Sequence, residues 1–390
     1  MKQLTTRQAV ILLSMAMFAT KMQRMPAILA QIFSQNGWIF LCLEVLFNSL
    51  FLLVVLRISV LTKGKTVHQA LSAKFGRTIA IIYSLLISLF FFLKMSTPIK
   101  GIHEFFVSAI FDDLDWKWFS IILVLLLIFM GSCGLNRIGR TSEIVSYFAL
   151  FGFVGVMALA MPTARYNTLL PIVFPSAGQI ATGVKDLTVL TTDFVLVLFF
   201  VGRVKENKFK TAITVSYLVT AVAIIFFCIT YYCIYNNLAT YPPIAISSIT
   251  EFSLFALSLG RIDWICVLLV ISSSVVAAGL FTNVSVESFA EATSLPKKSI
   301  AFVVGVVVYV LDVFVFADIQ KFAYILFNYF SWGILFVDYV VPILVWLLLG
   351  AAKRKNNRYP FYPYKIRPKS LKELHARQLS NLTPTKEDGQ

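Results

Sequence analysis

Polar residues interrupt the first apolar run of the chain and are the first candidates for chemistry. The run begins as an apolar helix at residue 7 and then, without leaving the hydrophobic segment, carries Thr20, Lys21, Arg24 and Pro26. Lysine and arginine are costly at membrane depth unless they are paired or line a wet cavity, and proline kinks or breaks a helix. This stretch is therefore either a binding site or the point where the helix meets water.

Lys21 and Arg24 differ in their position along the predicted span, and this favours different roles for them. At the usual helical rise, Lys21 lies about 21 Å and Arg24 about 25 Å from Arg7. Arg24 can therefore reach the outer interface with its long side chain. Lys21 is less easily explained in this way, because the residues from Met25 to Phe33 continue the apolar run. We therefore weigh a cavity-lining role more heavily for Lys21.

A second polar group lies half way along the apolar run from Val184 to Gly202. It consists of Thr191, Thr192 and Asp193. A carboxylate at this depth must be protonated, paired or hydrated, and Lys21 or Arg24 are its best partners. Two interpretations stay open, a substrate or ion site and a structural charge pair. Glu44 and Asp312 lie in other apolar runs and could join the same charge network.

The sequence contains no motif that predicts catalysis. The sequence has no phosphate-binding loop, nucleophile elbow or metal-ligand spacing, and its five cysteines and three histidines are scattered. We therefore expect neither an enzyme nor a bound metal or cofactor.

Composition excludes a soluble protein. Of the 390 residues, 58% are hydrophobic and 14% charged, and the mean hydropathy is +0.82, whereas soluble domains carry about 25% charged residues. A net charge of +15 would suggest nucleic acid in a soluble protein. Here most lysines and arginines fall on one side of the predicted spans, which marks the cytoplasmic face and places both termini there. We expect an integral membrane protein without a nucleic-acid partner.

About 20 apolar residues cross a bilayer, and the sequence contains ten such runs. They are approximately 7–33, 38–61, 78–99, 117–135, 143–162, 184–202, 211–235, 261–283, 299–317 and 324–350. Ten spans with both ends inside divide into two halves of five, about 1–165 and 166–350, so the second half must be inverted. Inverted repeats are typical of secondary transporters, whose sites lie at mid-membrane on discontinuous helices. We expect a break in span one and possibly in span six. The basic tail, 351–390, is expected to be disordered and to lie near membrane lipid.

Short motifs are spread along residues 1–350. In chain order, they are Leu4-Thr5-Thr6-Arg7-Gln8, Pro26, Asn36-Gly37-Trp38, Arg140-Thr141-Ser142-Glu143, Asn167-Thr168-Leu169-Leu170-Pro171 and Arg261-Ile262-Asp263. Together they resemble the endospore germination permeases, the B-subunit family of spore germinant receptors. The order and spacing of the set carry the resemblance, since each motif alone is weak.

The resemblance implies an all-α membrane protein of the amino acid–polyamine–organocation superfamily with the LeuT-like five-plus-five inverted repeat. It also implies a spore inner membrane receptor subunit that binds a small germinant, often an amino acid, beside A-type and C-type subunits. The germinant would lie at the two helix breaks, here Ala19, Thr20 and Lys21 with Thr191, Thr192 and Asp193. These residues replace the family's glycine-containing unwound segment in span one and its proline- or glycine-type interruption in span six. The alternative function is a secondary transporter of an amino acid or organic cation.

Overall fold

The structure is a computed structural model that describes most of the membrane part of the chain. The described residues are 4–107, 116–191, 193–204, 208–240, 245–251, 264–315, 321 and 324–358. They form helices and turns with no strand among them, apart from a single bridge between Leu4 and Val204. The all-α fold predicted from the sequence is confirmed.

The first half of the chain contributes eight helices. They are α1 (Thr6–Lys21), α2 (Met25–Phe33), α3 (Gly37–Thr62), α4 (Val67–Phe75), α5 (Arg77–Lys94), α6 (Ser96–Phe105), α7 (Trp116–Ser132) and α8 (Leu135–Ala160).

The second half contributes the remaining helices of the described part. They are α9 (Ala177–Thr191), α10 (Phe194–Phe200), α11 (Phe209–Tyr235), α12 (Ala245–Glu251), α13 (Trp264–Thr293), α14 (Lys297–Val310), α15 (Ser331–Leu335) and α16 (Val341–Arg358). Three π-helical turns, Leu311–Val315, Leu326–Phe330 and Phe336–Val340, lie after α14 and on either side of α15.

Span one is broken between α1 and α2. Thr5 caps α1 in a capping box with Gln8, and α1 ends at Lys21. Pro26 lies in the first turn of α2, where a missing N–H and a fixed φ are tolerated. The proline therefore marks the start of a new helix rather than a kink within one.

Span six is also broken, although the interruption contains neither proline nor glycine. The helix α9 ends at Thr191 and α10 begins at Phe194, with Asp193 between them. Thr192 lies outside the described residues. The first span of each half is thus discontinuous, as the inverted-repeat interpretation predicts.

The core forms around α13, the most completely buried of the long helices. It packs against α1, α5, α6, α7 and α8, while α1 also packs against α11. Large apolar side chains are exposed on the outward faces of the surrounding helices, as Phe129, Phe151 and Phe302 show. An apolar outer surface is what a bilayer requires.

Seven helices of the described part are long and apolar enough to cross a membrane. Predicted spans one, four and six are instead built from shorter helices, namely α1 with α2, α7, and α9 with α10. The count of ten spans therefore stays a prediction, as do the boundary between the halves and the cytoplasmic placement of the termini.

Two predictions fall partly outside the described residues. The moderately apolar stretch 244–259 predicts a short helix between spans seven and eight. Residues 245–251 form α12, and residues 244 and 252–259 lie outside the description. The chain divides into two units after Gly350. Of the second unit only residues 351–358 are described, and they are helical, so disorder of the tail stays a prediction.

Candidate functional site

The two helix breaks bring opposite charges together. Lys21, the last residue of α1, places its Nζ 3.0 Å from Oδ2 of Asp193, which lies between α9 and α10. Both side chains are 2% exposed or less. A buried pair of this kind is costly to desolvate, and removing one partner strongly destabilises the folded protein.

Glu44 of α3 also contacts Lys21 and connects the pair to Tyr339 in predicted span ten. Its Oε1 lies 3.6 Å from Lys21 Nζ and accepts a hydrogen bond from Asn48 Nδ2. Asn48 Oδ1 in turn accepts a hydrogen bond of 3.1 Å from the Tyr339 hydroxyl. The carboxylate orientation is therefore set by a chain of side chains on two helices.

Lys94 and Asp338 complete the charged group on the other side of Asp193. Lys94, at the end of α5, places Nζ 3.7 Å from Asp193 Oδ1 and lies over the rings of Phe90 and Phe281 at 5.8 and 5.9 Å. Asp338 interacts electrostatically with Lys94 and accepts a 3.0 Å hydrogen bond from the Thr188 hydroxyl. We call Lys21, Glu44, Lys94, Asp193 and Asp338 the central cluster.

Of the other residues predicted for the ligand site, the structure describes Ala19, Thr20 and Thr191. Ala19 and Thr20 line a cavity of about 20 Å³ together with Gln23 and Arg24, which is room for about one water molecule. The Thr20 hydroxyl donates to the carbonyl of Ala16 within its own helix. Thr191 is buried, and its carbonyl accepts from the Asp193 N–H, which closes the turn.

Arg24 and Asp312 do not join the central cluster. Arg24 Nε pairs with Glu104 Oε2 at 2.9 Å. Asp312 lies on a π-helical turn and pairs with Lys100 at 2.7 Å, while Trp116 Nε1 and the Ser120 hydroxyl donate to its other oxygen. The charged residues predicted as one network therefore form three separate groups, because each buried charge is neutralised by a partner on a neighbouring helix.

Gln23 connects the break of span one to neighbouring helices. Its Nε2 donates to the Ser274 hydroxyl of α13 at 2.6 Å, and its backbone carbonyl accepts from the Ala245 N–H of α12 at 2.8 Å. Its Oε1 lies against Gly101 of α6, where an added Cβ would clash with it.

Arg203 connects the turn after α10 to the end of α13. Its guanidinium pairs with Glu287 at 3.1 Å and Glu291 at 2.5 Å, both on α13, and stacks on Phe199 at 3.9 Å. Its carbonyl accepts from the Leu4 N–H, which fastens the N-terminal end of the chain. Their i, i+4 spacing at the end of an apolar run predicts two solvated glutamates. They are instead ion-paired, because α13 ends beside the loop after α10.

Two members of the central cluster were missed or misplaced by sequence reasoning. Lys94 lies near the end of predicted span three, 78–99, so the sequence alone predicts a position near the outer surface. Lys94 instead lies in the cluster, since the helical segment runs on to Phe105. Asp338 was not singled out. Its signal is an acidic side chain within an apolar run, the same signal that identified Asp193.

Chemically, the central cluster suits the binding of a small charged molecule by exchange of ion pairs. Its ammonium groups can donate hydrogen bonds to a ligand carboxylate, and its carboxylates can accept hydrogen bonds from a ligand ammonium. Within the described ranges, no group of three or more histidine, cysteine, aspartate or glutamate side chains could hold a metal ion.

Solved structures show which fold this is. MhsT in complex with L-phenylalanine matches with a TM-score of 0.57 and 12% identity, covering 90% of this chain and 89% of its own. The manganese transporter of Eremococcus coleocola, in complex with an aromatic bis-isothiourea substituted compound, matches with a TM-score of 0.55 and 12% identity, covering 96% of this chain and 90% of its own. These matches confirm the LeuT-like fold.

Sequence comparison gives the family. No curated protein sequence is significantly similar to the chain. The family model described as "Spore germination protein" matches residues 3–320, and the chain therefore belongs to the spore germination protein (spore permease) family.

Proposed function

We propose that the chain is the membrane subunit of a spore germinant receptor, which binds a small germinant and passes the signal to partner subunits. The family and fold matches support an integral membrane protein of the spore germination family with a transporter-type fold. The receptor role, the germinant class and the partners are our proposal. We propose no catalytic activity, since neither the family nor the fold matches point to an enzyme.

One observation carries the proposal: a buried ammonium–carboxylate pair lies where both broken helices meet. A zwitterionic amino acid has the charges to replace both halves of that pair, with its carboxylate at Lys21 and its ammonium at Asp193. The match to a fold solved with L-phenylalanine also favours an amino acid.

We further propose that the germinant contacts Ala19, Thr20, Lys21, Thr191, Thr192 and Asp193. Opening the Lys21–Asp193 pair to admit the ligand would change the contacts between the α1–α2 break and the α9–α10 break. A ligand shifts such an equilibrium only by its differential affinity for the two states. The partners that sense the shift would be the A-type and C-type subunits in the spore inner membrane.

A secondary transporter of an amino acid or organic cation is the second candidate, favoured by the fold match to a manganese transporter. The receptor proposal predicts that deleting this gene or either partner gene abolishes the response to the germinant. It also predicts no uptake of that germinant by proteoliposomes that contain this chain alone. Uptake above that of empty liposomes, with germination unaffected by loss of the partner genes, would favour the transporter and contradict the receptor.

A further inference from the structure

A groove of about 470 Å³ runs along the surface of the protein between α3 and α11. It is lined by Leu53, Leu56, Arg57 and Val60 of α3 and by Lys210, Thr211, Thr214 and Val215 of α11. The side chains of Leu53, Val60 and Val215 are exposed, as are apolar side chains on the outward faces of the neighbouring helices. Because such a surface is what a bilayer requires, the groove opens toward lipid, and its apolar wall suits a hydrocarbon chain.

The groove also contains two cations, one from each helix. Arg57 and Lys210 are both exposed, and neither forms an ion pair within the described part of the chain. The two helices supply no carboxylate for them. Glu44, the only acidic residue of α3, faces Lys21, and the sequence of α11 contains no acidic residue. The groove thus presents two positive charges beside an apolar wall.

The positions along the helices place both cations at one end of the groove. Arg57 lies near the C-terminal end of α3, and Lys210 is the second residue of α11. Leu53 lies about one turn before Arg57, and Val215 lies more than one turn after Lys210. The apolar side chains therefore lie deeper in the predicted spans than the cations, whose long stems can reach the headgroup level.

The start of α11 adds backbone donors beside the cations. No side chain caps this end of the helix, and the first N–H groups of a helix have no partner within it. A helix N-terminus favours an anion, phosphate in particular. An anionic group at this position would therefore meet two side-chain cations and unpaired N–H groups.

We propose that the groove between α3 and α11 binds an anionic phospholipid. Its phosphate lies between the Arg57 guanidinium and the Lys210 ammonium, where both can donate charge-assisted hydrogen bonds. One acyl chain lies against Leu53 and Val215. The apolar wall favours a lipid over a phosphate compound dissolved in water. The inference goes beyond the proposed function, since it holds for a receptor and for a transporter alike.

Such a lipid would bridge two helices that surround the central cluster. Glu44 belongs to α3, and α11 packs against both α3 and α1, the helix that ends at Lys21. A ligand that binds only the folded protein stabilises it. We therefore expect anionic lipid to stabilise the fold.

Native mass spectrometry of the purified full-length chain in neutral detergent tests the proposal. The chain is titrated with phosphatidylglycerol or with phosphatidylcholine of the same acyl chains. We expect the wild type to bind phosphatidylglycerol at least about tenfold more tightly, because two cations face the headgroup. The Arg57→Gln/Lys210→Gln variant should lose this preference. The control, Arg77→Gln/Arg140→Gln, removes two exposed cations that do not line the groove and should keep it.

Two further measurements separate a lipid from other occupants. Val215→Trp narrows the groove without changing its charge, so phosphatidylglycerol should bind more weakly. Glycerol phosphate carries the anion without acyl chains and should not compete with the lipid.

Equal affinity for the two lipids would overturn the proposal in favour of an uncharged occupant, such as a helix of a partner protein. An unchanged preference in Arg57→Gln/Lys210→Gln, or unchanged binding in Val215→Trp, would show that the lipid binds elsewhere. Competition by glycerol phosphate would overturn the lipid in favour of a soluble phosphate compound.

Thermal unfolding gives a second readout and shows whether the variants fold. Without added lipid, Arg57→Gln/Lys210→Gln should unfold within about 2 °C of the wild type, because both side chains are exposed. Saturating phosphatidylglycerol should raise the unfolding temperature of the wild type by about 3 °C more than phosphatidylcholine does. The same difference in Arg57→Gln/Lys210→Gln would contradict the proposal.

Discussion

At the scale of single residues, the Lys21 ammonium is the common partner of carboxylates from two other spans. It lies 3.0 Å from Asp193 and 3.6 Å from Glu44, and its side chain is 2% exposed. At this burial the desolvation cost of each charge is large, and only the partner offsets it. The stability of the site therefore depends on charge balance more than on any one residue.

This balance predicts that neutralising both partners is less harmful than neutralising one. We expect Lys21→Met or Asp193→Asn alone to reduce the free energy of unfolding by about 3–5 kcal/mol, because each changes the net charge of the buried cluster by one unit. The double variant should be more stable than either single variant. Thermal unfolding in detergent of the three variants measures this.

The surface pair of Arg7 and Glu143, at 3.6 Å, provides the control. Glu143→Gln should cost no more than about 1 kcal/mol. If the double variant lost as much stability as the sum of the single variants, the two residues would not be coupled.

Residue chemistry was predictable from sequence where a charge interrupts an apolar run. Lys21, Asp193 and Glu44 were identified in this way, since each carries a polar group into a stretch that otherwise suits lipid. The partners were not predictable, because pairing depends on which helix faces meet. Asp312 therefore pairs with Lys100, and Arg24 with Glu104, instead of both joining one network.

At the scale of helices, both broken spans hold their shape through contacts with other elements. Gln23 in the first break donates to Ser274 of α13 and accepts from Ala245 of α12. The break in span six has no proline or glycine to announce it, and its charged turn residue, Asp193, pairs with Lys21 and Lys94. This is why sequence alone gave a definite break only in span one.

The close approach of α6 to the first break gives a prediction at this scale. An added Cβ at Gly101 would displace the Gln23 amide from its position against α6. We expect Gly101→Ala to reduce the free energy of unfolding by about 1–3 kcal/mol, as overpacking does. Gly333, also helical and with no atom within 4 Å of an added Cβ, is the matched control. Equal stability of the two alanine variants would show that the break tolerates this displacement.

The contact between Arg203 and α13 gives a second prediction for the elements. Arg203→Gln removes the pairs with Glu287 and Glu291, so the C-terminal ends of α10 and α13 should separate more often. We expect faster amide hydrogen exchange at residues 4–8 and at the C-terminal end of α13, read by mass spectrometry. Arg7→Gln, which alters an exposed pair, should leave exchange at the C-terminal end of α13 unchanged. No difference between the two variants would mean that Arg203 does not hold these ends together.

At the scale of the whole molecule, the fold was largely predictable because bilayer thickness and backbone hydrogen bonding allow few solutions. The apolar runs identified the helical spans, and the odd number per half implied the inverted repeat that the fold matches confirm. The depth of individual residues was less predictable. Lys94 lies in the central cluster because the helical segment continues past the predicted end of span three.

The central claim is that a germinant binds where the two broken helices meet, at Lys21 and Asp193. The most direct test is the germinant concentration that gives half-maximal germination of spores carrying the Lys21→Met/Asp193→Asn double variant. Its balanced charges keep the protein stable enough for comparison with wild type and Glu143→Gln at equal protein levels in the spore membrane. We predict a rise of at least about tenfold, or no response, because two charge-assisted contacts are lost. An unchanged concentration at an equal protein level would contradict the assignment of the site.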